Sequence, residues 1–130
     1  MPVAIHAIGD RGVQMALNAF EYSNHLDLAN RVEHVELIQP GTVDRFRELK
    51  VTASMQPNHG TGVIGKYITP RIGEEREQFA YVWNDFLKGG VRLALSSDFA
   101  TSPFSPLVQL YDAVFRESPS GLYDGAWYPE

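Results

Sequence analysis

The sequence predicts an α/β protein made of four consecutive β-strand–α-helix units. Short apolar runs of strand length alternate with stretches whose apolar residues recur at helical spacing. Strands joined by helices in this way run parallel and are connected by right-handed crossovers. Three of the apolar runs also stop on a potential metal ligand, namely His6, His34 and Asp98. Reactive groups of α/β barrels lie at the carboxyl ends of parallel strands, so these positions indicate function as well as fold.

The first two units occupy the amino-terminal part of the chain. Val3–His6 is a short buried-strand pattern, and Asp10 is the predicted N-cap of the helix that follows. Arg31–Val35 is the second strand, and Pro40 suits the first turn of the second helix. The apolar residues predicted to form the inner faces of these helices are Val13, Ala16, Leu17 and Phe20 in the first, and Val43, Phe46 and Leu49 in the second.

The third unit contains a predicted long loop. Val51–Gln56 is the third strand, and the Gly- and Thr-rich residues His59–Thr69 are predicted to form a loop, which at this length is usually functional or disordered. The helix after it is predicted to end at Gly89-Gly90. Its predicted inner face consists of Phe79, Val82, Trp83, Phe86 and Leu87.

The fourth unit begins with the strand Val91–Ser96. Ser105 and Pro106 follow as the predicted N-cap and first residue of the last helix. The tail after Ser118 is rich in glycine, proline and aromatic residues and is predicted to be irregular. The apolar residues at helical spacing in the last helix are Leu107, Leu110, Tyr111, Val114 and Phe115.

Composition bounds the class of protein. A chain of 130 residues with 44% hydrophobic and 21% charged residues is typical of one globular domain. A net charge of −5 argues against nucleic acid or an anionic membrane as the main partner, since both favour a basic surface. The absence of cysteine excludes disulfides, thiolate zinc sites and a cysteine nucleophile. Any metal must therefore be bound by histidine and carboxylate side chains.

The first residues of the sequence bear on the cellular location of the protein and on where its reading frame begins. No stretch of the sequence reaches the roughly 20 apolar residues of a membrane span, and Met1-Pro2-Val3 shows no signal-peptide pattern. A cytoplasmic location is therefore expected. The first residues lead straight into a core strand without a preceding turn or cap, which predicts that the natural reading frame begins earlier.

Four short motifs occur in a specific order along the chain. They are His6–Arg11, Arg31–His34, Ser54–His59 and Ser97-Asp98. This ordered set resembles the metal-dependent amidohydrolases of family 3, the YtcJ-like group. Gly73–Arg76 and the stretch from Pro106 to Val114 are also similar to that group. The resemblance spans nearly the whole chain.

The resemblance implies a (β/α)8 barrel that hydrolyses amide or related carbon-nitrogen bonds with a divalent metal, usually zinc, in one or two copies. It implies that His6 ends the fifth strand and His34 the sixth, that Val51–Gln56 is the seventh, and that Asp98 follows the eighth. The family's first-strand His-x-His pair and fourth-strand lysine are absent from this sequence. A complete barrel needs about 250 residues. Residues 1–130 are therefore predicted to be one segment, the carboxyl-terminal half of a catalytic barrel.

The residue types suit metal-assisted hydrolysis. A divalent ion lowers the pKa of a bound water from about 15.7 to about 7 and polarises the scissile carbonyl. Asp98 is the predicted catalytic residue, which touches the metal, accepts the proton of the water and passes it to the leaving amine. His6 and His34 are predicted metal ligands without acid-base duty. Taken singly, a strand-end histidine is more often a structural residue, and Asp98 could cap a turn. The ordered combination favours the metal.

Other polar residues flank these three. His59 is predicted to touch the substrate or to stabilise charge on its carbonyl oxygen, with an exposed loop histidine as the alternative. Asp10, Arg11 and Glu33 are predicted to orient the metal ligands, or alternatively to cap and ion-pair the rim of the sheet. The residues after Asp98 depart from the family pattern, which leaves the substrate preference open.

Two further charged residues have alternative interpretations. Arg71 and Arg76 could bind a substrate carboxylate, or they could be surface charges. The sequence does not favour either interpretation.

The leading hypothesis is a metal-dependent hydrolase of small amide-type substrates, with no nucleic-acid or membrane partner. Exposed sheet edges, where the missing strands would pair, favour a homo-oligomer. The rival hypothesis is a catalytically silent half-barrel that acts as a structural or self-associating module. A third is an open-sheet binding protein with a ligand at the strand ends. Metal content and turnover separate these hypotheses.

Overall fold

The computed structural model of the chain describes residues 1–61, 68 and 70–117. The predicted irregular tail after Ser118 and most of the predicted loop between His59 and Thr69 lie outside these residues. The elements along the described chain are β1 (Ala4–Ala7), α1 (Asp10–Ser23), β2 (Arg31–His34), α2 (Thr42–Glu48), β3 (Thr52–Met55), α3 (Pro57–Thr61), α4 (Glu74–Glu77), α5 (Trp83–Lys88), β4 (Leu93–Leu95) and α6 (Pro106–Phe115).

The strands form one four-stranded sheet in the order β1-β2-β3-β4. β1 and β2 are parallel, with His6 opposite Glu33, and β2 and β3 are parallel, with Glu33 opposite Ser54. Between the last two strands, the backbone N–H of Ala53 donates to the carbonyl of Arg92 at 2.9 Å. The predicted α/β class with a parallel sheet is confirmed. Parallel pairing puts the carboxyl ends of β1, β2 and β3 at the same edge.

The chain divides into two compact units. The first unit comprises Met1–Met55 and Phe79–Ala94, and the second comprises Gln56–Gln78 and the residues from Leu95 onward. β1 to β3, α1, α2 and α5 belong to the first unit, whereas α3, α4 and α6 belong to the second. No helix in the described part of the chain is long and apolar enough to cross a membrane.

The core of the first unit follows the predicted helical faces. All four apolar residues predicted for the inner face of α1 are buried. Phe46 of α2 and Phe86 of α5 are fully buried and pack edge to face, with ring centroids 5.1 Å apart. Val32 and Ala53, in the centre of the sheet, are also fully buried. The buried residues of α1, together with Phe46 and Phe86, are therefore ones that the helical spacing predicted.

Two element boundaries in the first unit differ from the prediction. Gly9, and not Asp10, is the N-cap of α1, and Asp10 is the first helical residue, where its Oδ1 accepts the Arg11 N–H at 2.8 Å. A carboxylate in the first turn still stabilises the positive end of the helix dipole. β2 ends at His34 because His34 and Val35 have left-handed backbones, with φ of 79° and 53°.

α5 is shorter than the apolar spacing predicted. Ala80 forms an antiparallel bridge with Leu37, and Tyr81 has a left-handed φ of 54°, so the helix begins only at Trp83. Leu87, predicted for the inner face, is 64% exposed. The helix ends before Gly89-Gly90 as predicted, and Gly90 takes the left-handed conformation, φ 71°, that glycine adopts without strain.

The second unit departs most from the sequence prediction. Pro57–Thr61 is a short helix where the predicted loop begins. Ser105 and Pro106 start α6 as predicted, and the apolar residues that recur at helical spacing in this helix are exposed. The buried side chains of α6 are polar: Gln109 and Asp112. Gln109 Oε1 accepts the Asn58 N–H at 3.3 Å. Helical spacing identifies an apolar face, but it does not say which face meets the rest of the unit.

Candidate metal centre

Two imidazoles lie side by side at the carboxyl ends of neighbouring strands in the first unit. His6 is the third residue of β1, and His34 is the last residue of β2. Their ring centroids are 4.4 Å apart and their planes make an angle of 67°. His34 is buried and His6 is exposed. Parallel pairing places the two strand ends at one edge, and the two histidines that the sequence analysis singled out as ligands lie close together there.

The backbone around His34 is unusual. Two consecutive residues, His34 and Val35, have positive φ, and the left-handed region is a genuine outlier for a β-branched residue such as Val35. Such conformations cost about 1–3 kcal/mol each and persist only where surrounding contacts hold them. The Val35 N–H donates to the Ala7 carbonyl at 3.0 Å, and the Leu37 N–H donates to the Ile8 carbonyl at 3.1 Å. β1 therefore holds the strained turn that carries His34.

Glu36 is a site residue that the sequence analysis missed. Its side chain is buried, and one ligand atom of Glu36 lies within 4.8 Å of one of His34. The Tyr81 hydroxyl donates to Glu36 Oε2 at 2.8 Å, and the Tyr81 N–H donates to the Glu36 carbonyl, also at 2.8 Å. The available signal was a carboxylate inside the otherwise apolar stretch Val35–Ile38, because buried carboxylates need partners.

Tyr81 is held in its neutral form at this position. Burial raises its pKa well above the usual range, and the nearby Glu36 carboxylate and the hydrogen bond to it raise the pKa further. The phenol therefore remains a hydrogen-bond donor to Glu36 at neutral pH.

The second unit contains another histidine-carboxylate pair. His59 Nε2 lies 3.9 Å from Asp98 Oδ2. His59 is buried within α3, so the alternative of an exposed loop histidine is wrong. Asp98 comes three residues after β4 and has a left-handed φ of 53°, and its carbonyl accepts the Thr101 N–H at 2.8 Å. The side chain of Asp98 is thus directed by a tight turn and faces a buried imidazole.

The residues predicted to orient the metal ligands make ion pairs and capping hydrogen bonds at the edge of the sheet. Glu33 forms an ion pair with Arg31, and Asp10 accepts the Arg11 N–H. Both contacts are those expected for capping and ion pairing. Orientation of the metal ligands by Asp10, Arg11 and Glu33 therefore stays a prediction.

The two arginines considered for substrate binding are exposed. Arg71 and Arg76 both lie on the surface, and Arg76 Nε donates to the Ile72 carbonyl at 2.8 Å. Their contacts do not distinguish substrate binding from a surface role.

The donors present fit a divalent metal. Imidazole nitrogen and carboxylate oxygen are ligands that zinc and related ions take in proteins. The first unit offers His6, His34 and Glu36, and the second offers His59 and Asp98. Within the first unit, His34 and Glu36 are buried and His6, beside His34, is exposed.

The family of the chain follows from its sequence. Residues 1–130 match the sequence profile of the Amidohydrolase family. The chain therefore belongs to the amidohydrolase family, as the order of its motifs predicted. The four parallel strands with their helices are consistent with part of an amidohydrolase barrel.

Three curated relatives have similar sequences. The chain is 34% identical to Protein LONG AFTER FAR-RED 3 of Arabidopsis thaliana over 99% of its own length. It is 29% identical to the putative amidohydrolase YtcJ of Bacillus subtilis over 91%, and 28% identical to the N-substituted formamide deformylase of Arthrobacter pascens over 92%. The chain spans 22% of the length of each of these relatives.

A solved structure supports the same family. An uncharacterized metal-dependent hydrolase from Pyrococcus horikoshii superimposes with a TM-score of 0.80 at 34% sequence identity. The match covers 89% of this chain and 23% of that chain. The described fold is thus similar to a segment of a metal-dependent hydrolase.

Proposed function

We propose that this chain is part of a metal-dependent hydrolase and contributes ligands to its metal centre. The observation that carries the proposal is the pair His6 and His34, whose rings lie 4.4 Å apart at the carboxyl ends of adjacent parallel strands. Membership of the amidohydrolase family supports it. Asp98 is assigned to the same metal by its place after β4 in the ordered motifs.

The segment is proposed to supply strands five to eight of a (β/α)8 barrel. Two facts support this proposal: the sheet order β1-β2-β3-β4 is that of consecutive barrel strands, and the chain spans 22% of the length of its curated relatives. A barrel of this type needs about 250 residues. The remaining strands and ligands would then come from sequence outside these 130 residues.

The proposed reaction is hydrolysis of a carbon-nitrogen bond in a small amide-type substrate. The relative from Arthrobacter pascens is named as a deformylase of N-substituted formamides, and the one from Bacillus subtilis as a putative amidohydrolase. The net charge of −5 agrees with a small-molecule substrate and with neither nucleic acid nor an anionic membrane as partner. The cytoplasm is the proposed location.

The proposed mechanism divides the work among named side chains. His6, His34 and Asp98 would hold a divalent metal, proposed to be zinc in one or two copies, which when bound would supply a water of lowered pKa and would polarise the scissile carbonyl. Asp98 would accept one proton from the attacking water, whose oxygen bonds to the carbonyl carbon. As the carbon-nitrogen bond breaks, Asp98 would give this proton to the leaving amine. Buried His59, 3.9 Å from Asp98, is proposed to contact the substrate.

A second candidate function is a silent, self-associating module. The observation that favours it is that β1 and β4 are the outer strands of the described sheet, and outer strands offer unpaired backbone groups to a second chain. The exposed apolar residues of α6 also favour self-association.

The proposed function can be tested by removing the metal and then restoring it. The full-length protein that contains this chain is depleted with a chelator, assayed against a panel of N-formyl and N-acyl amines, and reloaded with zinc. We expect amine release to disappear on depletion and to return with zinc. Amine release that is indifferent to the chelator, or complete absence of both metal and turnover in the untreated protein, would contradict the proposal.

A further inference from the structure

We propose that Glu36 is an additional metal-binding side chain beside His34 and that Tyr81 holds its carboxylate in place; this inference rests on the proposed metal-dependent function.

Distance supports the assignment. The ligand atoms of Glu36 and His34 lie within 4.8 Å of each other. One ion with donors at about 2.0–2.2 Å bridges two ligand atoms that are up to about 4 Å apart. A small adjustment of either side chain therefore places both on one ion. Both residues are buried, at 5% and 8% exposure, so the donors are already desolvated and held by packing.

Charge points to a cation at the same place. Transfer of a carboxylate out of water is costly unless it is paired with positive charge. The Tyr81 hydroxyl donates a hydrogen bond to Glu36 Oε2. A divalent ion on His34 would add positive charge beside this buried carboxylate. A carboxylate that accepts one hydrogen bond keeps further lone pairs with which it can bind an ion.

Tyr81 is suited to hold the carboxylate. It contacts Glu36 twice, through its hydroxyl and through its backbone N–H, each at 2.8 Å. The bridge between Leu37 and Ala80 lies next to these contacts, and the Ile38 N–H donates to the Phe79 carbonyl at 3.0 Å. The two segments therefore form a short antiparallel ribbon that fixes Tyr81. Residues that orient a ligand in this way commonly raise metal affinity 10–100-fold.

Zinc and cobalt titrations of the full-length protein test the inference. Glu36→Gln keeps the volume of the side chain and can still accept the Tyr81 hydroxyl, so a purely structural role would be preserved. We expect zinc affinity to fall at least tenfold, with the metal-free melting temperature near that of the wild type. An unchanged zinc affinity in Glu36→Gln would overturn the inference.

Two further variants complete the design. His34→Ala reports on the proposed function: if it binds zinc normally, the metal centre is wrong and this inference fails with it. If His34→Ala loses zinc while Glu36→Gln does not, only this inference fails. If Glu36→Gln does not fold, the visible absorption spectrum of cobalt-loaded Tyr81→Phe tests the inference instead. We expect the visible absorption bands of cobalt to shift as the carboxylate loses its orientation, and unchanged bands would overturn the inference.

Discussion

His6 and His34 face each other across two neighbouring parallel strands, with ring centroids 4.4 Å apart. His34 pairs with Ala7, the residue that follows His6, so regular pleating alone would direct the two imidazoles to opposite faces of the sheet. The positive φ of His34, 79°, takes this residue out of regular strand geometry at the end of β2. The closeness of the two rings therefore depends on the conformation of this strand end as well as on the parallel pairing.

Asp98→Asn should abolish turnover in the proposed full-length hydrolase while leaving much of the fold and some of the metal. The amide keeps the shape of the side chain but cannot accept the proton, and loss of a general base typically costs about 10²–10⁴ in rate. Steady-state amine release measures the effect. Asp27→Asn, at an exposed carboxylate, is the control and should keep the wild-type rate. A near-normal rate for Asp98→Asn would remove it from the proposed role.

The raised pKa of buried Asp112 predicts that the stability of the chain depends on pH. Burial raises its pKa to about 6, and a hydrogen bond with Thr61 opposes the shift, whereas the pKa of an exposed aspartate is about 3.9. The folded chain thus binds a proton that the unfolded chain has lost, so the free energy of unfolding falls as the pH rises from about 4 to 6.

Asp112→Asn should remove the fall in the free energy of unfolding between about pH 4 and pH 6. Compared with the wild type, the free energy of unfolding of the variant should therefore increase from about pH 4 to pH 7, by an amount of the order of 1–3 kcal/mol. Urea unfolding of the 130-residue chain at several pH values measures it, and Asp85→Asn, at an exposed position, is the matched control. Parallel pH profiles for wild type and Asp112→Asn would show that Asp112 is not buried as described.

Two adjacent residues of α5 test the description of the core. Phe86 is fully buried against Phe46, whereas Leu87 is 64% exposed. Phe86→Ala should destabilise the chain by about 3–5 kcal/mol, because it removes buried surface and leaves a cavity. Leu87→Ala should stay within about 0.5 kcal/mol of the wild type. Thermal unfolding compares the two, and equal losses would contradict the assigned orientation of the helix.

The 130-residue chain by itself should bind metal weakly or not at all and should show no amidase activity. The resemblance to the amidohydrolases implies a first-strand histidine pair that also holds the metal, and this pair is absent from the sequence. Unpaired outer strands should also favour association. Light scattering and zinc analysis of the purified chain check both points. A stable monomer with stoichiometric zinc and robust turnover would contradict the half-barrel proposal.

Local patterns predicted much of the first unit. The order of strands and helices and the buried face of α1 follow from spacing that lies within one element, where periodicity is decisive. The placement of His6 and His34 at one edge of the sheet also follows from sequence, since parallel strands bring their carboxyl ends together. The ordered motifs predicted the family.

Contacts between distant residues were beyond the reach of these patterns. Glu36 and Tyr81 are 45 residues apart, and only the ribbon between their segments brings them together. His59 was placed on a loop because a five-residue helix leaves no periodic signal. The apolar stripe of α6 gave no indication that Asp112 and Gln109, on the opposite face, would be buried.

Metal content of the full-length protein tests the central claim most directly. Elemental analysis compares the wild type with His6→Ala, His34→Ala and the control His25→Ala, whose side chain is exposed and outside the motifs. The account predicts that zinc is present in the wild type and in His25→Ala and is strongly reduced in His6→Ala and His34→Ala, since each of these two substitutions removes an imidazole that is proposed to hold the ion. Equal zinc in all four proteins would contradict it.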